Sequence, residues 1–255
     1  MSEYLVKGET LANLADTART KSGVAEPLAF PEGFADAYNK CYESGKADGI
    51  QSEYDRFWDE FQNFGSRENY SYGFSRWNKS TFMPKYDIRG NCSAIFHSFN
   101  ENDPEWESFD MAQRLSDLGI GLYTPNNLTS AFMWAWIGRI GTIDCTNTLT
   151  LQTTFGYCKV RTIDKLIVKP ENVFTTTFIE SPELTNITFE GIIGNAISFQ
   201  WQYKLSDASV QSVIDHLQDL TGAVSKAVTF HPTVGAKLTE EQKAAITAKN
   251  WTLVY

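Results

Sequence analysis

The chain has 255 residues, 42% of them apolar, 14% aromatic and 21% charged, with a formal net charge of −9. That balance fits a soluble globular protein, one elongated domain with caps or two small domains. It excludes a surface that tracks nucleic-acid phosphates, which needs clustered Lys and Arg. No apolar run approaches the ~20 residues of a spanning helix, so no membrane insertion is expected. Residues 1–10 lack a basic region followed by an apolar core, so no signal peptide is expected and synthesis in a cytoplasm is. The cysteines Cys41, Cys92, Cys145 and Cys158 are scattered without metal-type spacing and read as reduced thiols. The Asn-x-Ser/Thr sequons at Asn69, Asn78, Asn91, Asn127, Asn186 and Asn250 then read as composition.

Residues 1–45 read as a small helical head. Thr10 caps a helix with Leu11, Leu14, Ala15 and Ala18 on one face, stopped at Lys21-Ser22-Gly23. A second short helix opens at Pro31 and carries Phe34, Tyr38, Cys41 and Tyr42. Two short amphipathic helices are marginal alone, so the head is expected to pack on the body or on a partner chain.

Residues 46–84 are the most aromatic part. Tyr54, Phe57, Trp58, Phe61 and Phe64 sit at helical spacing behind a weak capping box of Ser52 and Asp55. Tyr70, Tyr72, Phe74 and Trp77 follow in a polar run. The helix stripe reads as core of an N-terminal cap. For the loop holding Tyr70, Tyr72 and Trp77 an aromatic carbohydrate platform is the alternative.

Residues 85–200 repeat themselves. Phe132, Phe155 and Phe178 recur every 23 residues, each after a small residue (Ala131, Thr154, Thr177) and each followed by an in-phase Ile (Ile140, Ile163, Ile187). A period in the twenties is the signature of a leucine-rich-repeat solenoid, whose units bury their apolar sides only against neighbours. Tyr86, Ile88 and Ser93-Ala94-Ile95-Phe96 read as a degenerate first copy. Evenly spaced apolar runs also occur in β-sandwiches.

Residues 201–255 read as an α/β cap. Ser206 caps a helix with Val210, Val213, Ile214 and Leu217 inward, ending at Gly222. A strand follows over 226–231, then a helix opened by the Thr239/Gln242 capping box, then a strand over 251–255. The expected fold is therefore α+β: a short leucine-rich-repeat-like solenoid with an N-terminal helical head and a C-terminal α/β cap.

Three stretches carry a family resemblance. The run Leu11-Ala12-Asn13-Leu14-Ala15-Asp16-Thr17-Ala18-Arg19-Thr20-Lys21-Ser22-Gly23, with Phe30-Pro31-Glu32-Gly33-Phe34 after it, resembles a leader on tail and appendage proteins of phages of Gram-positive bacteria. Phe155, Cys158, Thr162 and Ile163 resemble the unit of BspA-like leucine-rich repeats. Gly235-Ala236-Lys237-Leu238-Thr239 and Ala248-Lys249-Asn250-Trp251-Thr252 resemble the terminal segment of phage-encoded and gut-bacterial BspA-like proteins. The resemblance implies a phage virion protein of tail fibre, baseplate or other appendage, located in the virion. It implies attachment to other virion proteins through residues 1–45, homo-oligomerisation, and a surface for a host glycan or protein. A BspA-like adhesion protein of the bacterial surface is the alternative.

No chemistry-bearing motif stands out. His97, His216 and His231 lie far apart outside any zinc motif, and no G-x-S-x-G, phosphate loop or dinucleotide fingerprint occurs. Asp55, Asp59 and Glu60, and Glu101, Asp103, Glu105 and Glu107, could pose as a glycosidase pair but read as solvated turns and faces. The loop Asn100 to Asp103 lacks the Gly and terminal Glu of an EF-hand. No catalytic residue, cofactor or metal is expected, and the chain reads as non-enzymatic. The candidate binding surface is aromatic: Trp134, Trp136 and Tyr157, which break the repeat pattern, with Tyr70, Tyr72 and Trp77. The competing reading places Trp134 and Trp136 in the core.

Overall fold

In the computed structural model residues 70–80, 82–84 and 87–255 are described. The expected head (1–45) and the aromatic helix of the cap lie outside the described residues. The elements run β1 (Ile88–Asn91), a 3-10 turn (Trp106–Ser108), α1 (Met111–Asp117), β2 (Leu122–Asn127), β3 (Trp136–Asp144), β4 (Lys159–Val168) and β5 (Asn186–Gly191). They continue with β6 (Ile197–Phe199), α2 (Asp207–His216), β7 (Lys226–Phe230), α3 (Pro232–Gly235), α4 (Glu240–Ala248) and β8 (Trp251–Val254). All strand pairs are parallel and fall into separate sheets, β1-β2, β3-β4-β5 and β6-β7-β8.

Phenylalanine supplies the core. Phe74, Phe96, Phe132, Phe155, Phe178, Phe199 and Phe230 form one column of near-parallel rings, with centroid steps of 5.6, 5.1, 5.3, 5.5, 4.9 and 6.0 Å. The turns carrying them are tied by backbone bonds. Phe74 N donates to Ile95 O, Phe96 N to Ala131 O, Phe132 N to Thr154 O and Phe155 N to Thr177 O, at 2.8–2.9 Å. Two of the residues before Phe have a role that the bonds show. Buried Thr154 and Thr177 donate their hydroxyls to the Leu128 and Leu151 carbonyls of the preceding turn. A buried carbonyl without such a donor would cost about 1–3 kcal/mol.

The expected solenoid over 85–200 is not what forms. Ile140, Ile163 and Ile187 are register partners, but within one three-stranded sheet whose pairing stops at both edges. At the β3 edge the chain around the 3-10 turn moves in: Arg139 N donates to Phe109 O and Asp110 bridges Arg139. Gly138 and Gly141 make room, since a Cβ on Gly138 would strike the Glu107 carbonyl and one on Gly141 would sit 3.0 Å from Ala112 Cβ. At the β5 edge α2 takes the free N–H groups: Ser209 Oγ accepts from Ile187 N and Ser212 Oγ from Phe189 N, both at 2.8 Å. Helix and loop thus cover edges that a solenoid would leave for the next strand. The fold is α+β, built on small parallel sheets of unequal strands.

The C-terminal elements follow their local signals, with one correction. Ser206 caps α2, and Thr239 with Gln242 forms the reciprocal capping box of α4. Helix α2 ends at His216 instead of Gly222, because Leu217 turns extended and pairs with Ile193. Gly222 lies in the following turn at φ +80°.

Candidate binding surface

Each Phe turn sends side chains in alternate directions. The residue three after Phe points inward: Ala135, Cys158, Ser181 and Gln202 are all buried. They stack in register, with Cys158 Sγ 3.6 Å from Ser181 Oγ, and Gln202 Nε2 donating to Phe178 O and Ser181 O at 2.8 and 2.9 Å. The residue two after Phe points outward, which gives one row: Trp134, Tyr157, Glu180 and Trp201.

Trp134 and Tyr157 meet in that row. Their rings stack 4.9 Å apart at 10°, and Trp134 remains 41% exposed. The core reading of Trp134 is thereby excluded. Both residues have left-handed backbone, φ +63° and +55°, a region that costs an ordinary L-residue about 1–2 kcal/mol. Trp136, the first residue of β3, points elsewhere and is half-buried. Its ring is covered by Lys159 Nζ, 3.4 Å from the centroid, and its carbonyl accepts from Asn100 Nδ2.

The other proposed aromatics separate. Tyr70 is buried, 4% exposed, with its hydroxyl donating to Asp87 O, so it is core and not contact surface. A buried phenol needs such a partner. Tyr72 is 66% exposed in the same turn. Trp77 is half-buried with its ring edge-on to Phe74 at 5.6 Å. Trp201 and Tyr203, absent from the sequence-based set, are each 42% exposed. The signal for Trp201 was present, since it follows Phe199 by the offset at which Trp134 follows Phe132.

Several charged groups beside the sheets and in the acidic turn are paired with one another. Arg139 bridges Asp110 and Asp164 across α1, β3 and β4 at 2.8 and 2.7 Å, which holds it protonated. Lys79 joins Asp103 and Glu105, and Arg161 joins Glu107. In the acidic turn at 101–107, Asp103, Glu105 and Glu107 are thus ion-paired to Lys79 and Arg161. Buried Asn100 is spent on the backbone at Lys79 and Trp136. Asp55, Asp59 and Glu60 lie outside the described residues. Burial pushes the thiols of Cys92 and Cys158 up to about 12 and raises that of Cys145 as well, so none is a nucleophile near neutral pH. Among the described residues no group of three His, Cys, Asp or Glu side chains could hold a metal ion. Nor, among them, is any helix long and apolar enough to cross a membrane.

No family model matches the chain, and neither a curated protein nor a solved structure is found to resemble it.

Proposed function

We propose that the chain is a non-enzymatic structural protein of a phage virion, part of a tail, baseplate or other appendage, that presents an aromatic face to the host cell. The observation that carries the face is the Trp134–Tyr157 stack, a pair of flat rings on the layered core in which Trp134 is exposed and Tyr157 half-buried. Aromatic faces of this kind bury large area at low entropic cost on a glycan or a protein. The virion assignment rests on the resemblance of residues 11–34 to a leader of phage appendage proteins and of residues 235–252 to the terminal segment of phage-encoded and gut-bacterial BspA-like proteins.

Peptide mass spectrometry of density-purified particles, released by prophage induction of the source strain, tests the assignment. Stoichiometric copies per particle are expected. Absence from particles, with the chain instead on washed cells, overturns it and favours an adhesion protein of the bacterium.

A further inference from the structure

Glu180 interrupts the aromatic row. It follows Phe178 as Tyr157 follows Phe155, it is exposed, and at φ +48° it shares the left-handed backbone of Trp134 and Tyr157. Tyr157 N donates to Ile179 O, which seats the Tyr157 layer directly on that of Glu180. On the other side the 199–202 turn is clamped to it by Gln202. In the order of the layers Glu180 thus stands between Tyr157, whose ring stacks on Trp134, and the exposed Trp201.

We propose that Tyr157, Glu180 and Trp201 form a binding site for an alkylammonium group of the trimethylammonium type. The proposal rests on the reading of this row as a binding face. Spacing and charge carry it. The Phe steps of 5.5 and 4.9 Å place the Tyr157 and Trp201 layers roughly 10 Å apart, so a cation in the middle layer lies about 5 Å from each, inside the ~6 Å reach of a cation–π contact. Glu180 supplies the countercharge in that layer. Neighbouring acids already have ammonium partners, Glu183 in Lys204 and Glu190 in Lys165, each at 2.6 Å. Glu180 has none among the described residues. The protein's own ammonium groups show the chemistry on either side, Lys159 over Trp136 and Lys204 over Tyr203 at 5.4 Å. A net charge of −9 favours a cationic guest further.

Calorimetric titration of the full chain with choline chloride, against its uncharged isostere 3,3-dimethylbutan-1-ol, tests this. Choline should bind saturably with a dissociation constant on the order of 1 mM, and the isostere at least roughly tenfold more weakly. Glu180→Gln and Trp201→Ala should each weaken choline about fivefold or more, while Glu171→Gln, an exposed acid outside the row, leaves it unchanged. Phosphatidylcholine vesicles should not be sedimented with the chain. Equal binding of choline and isostere, undiminished binding by Glu180→Gln, or binding to vesicles alone would overturn the site. Loss of cell binding in Trp134→Ala with Tyr157→Ala, beside choline binding indifferent to Glu180, would remove the cation site and leave the binding face. Choline binding through Glu180 with cell binding untouched by those variants would do the reverse.

Discussion

At Trp134 and Tyr157 the backbone and the side chain make opposite demands. A left-handed position favours Gly or Asn, whereas the pair stack is worth about 0.5–1.5 kcal/mol. Replacing both by Asn relieves one and forfeits the other, so urea denaturation should show a stability change within about 1 kcal/mol. A loss well above that would mean the rings serve the core. The buried thiols give a second check. In a Cys41→Ser background, Ellman's reagent should find no reactive thiol until the chain unfolds, and rapid reaction in the native state would contradict the burial of Cys92, Cys145 and Cys158. His97 gives a pH dependence. Burial, and secondly the Arg76 charge, hold its imidazole below the ordinary value despite an opposing pull from Glu101. The unfolded chain therefore binds the proton more readily, and stability falls as pH drops through the unfolded value near 6.5, levelling below the folded one. The fall in melting temperature from pH 7.5 to 5.5 should be smaller in His97→Gln, and an equal fall would contradict this environment. Residue identity alone distinguishes poorly at this scale. Trp134 and Trp136 look alike in sequence, and only the turn geometry sends one outward and the other under Lys159.

Elements are decided by what covers their edges. The 23-residue spacing of Phe132, Phe155 and Phe178 was legible because a stacked column needs its rings in phase, and the rings do stack. The column also takes in Phe74, Phe96, Phe199 and Phe230 at unequal spacings, which periodicity does not reveal. The ends of the central sheet were illegible for a different reason. They depend on Gly138, Ser209 and Ser212, ordinary residues whose effect exists only once α2 and the 3-10 turn have docked. Capping signals, being local, were readable at Ser206 and Thr239 and misled only where tertiary pairing drew Leu217 away from the helix. Ser209→Ala should strip the Ile187 N–H of its acceptor and cost about 1–3 kcal/mol, with faster amide exchange at Ile187 and Phe189. Exchange unchanged at both would contradict α2 as the edge cover. Phe155→Ala, in mid-column, should cost about 3–5 kcal/mol by chemical denaturation.

For the whole molecule, the described residues form a unit, Tyr70–Tyr255, in which sheet charges are neutralised internally and the aromatic row is left outward. Paired charges such as Arg139 with Asp110 and Asp164 give a partner little to gain, whereas exposed rings retain their full desolvation gain for contact. The expectation that residues 1–45 mediate self-association falls outside the described residues and has its own test: their deletion should yield a monomer by light scattering, and an unchanged mass would reject it. The central claim, that the Trp134–Tyr157 layer meets the host surface, is tested most directly by adsorption of the labelled full-length protein to source-strain cells. Saturable adsorption is expected, reduced at least roughly tenfold in Trp134→Ala with Tyr157→Ala while circular dichroism stays unchanged. Undiminished adsorption by that double variant would contradict the account.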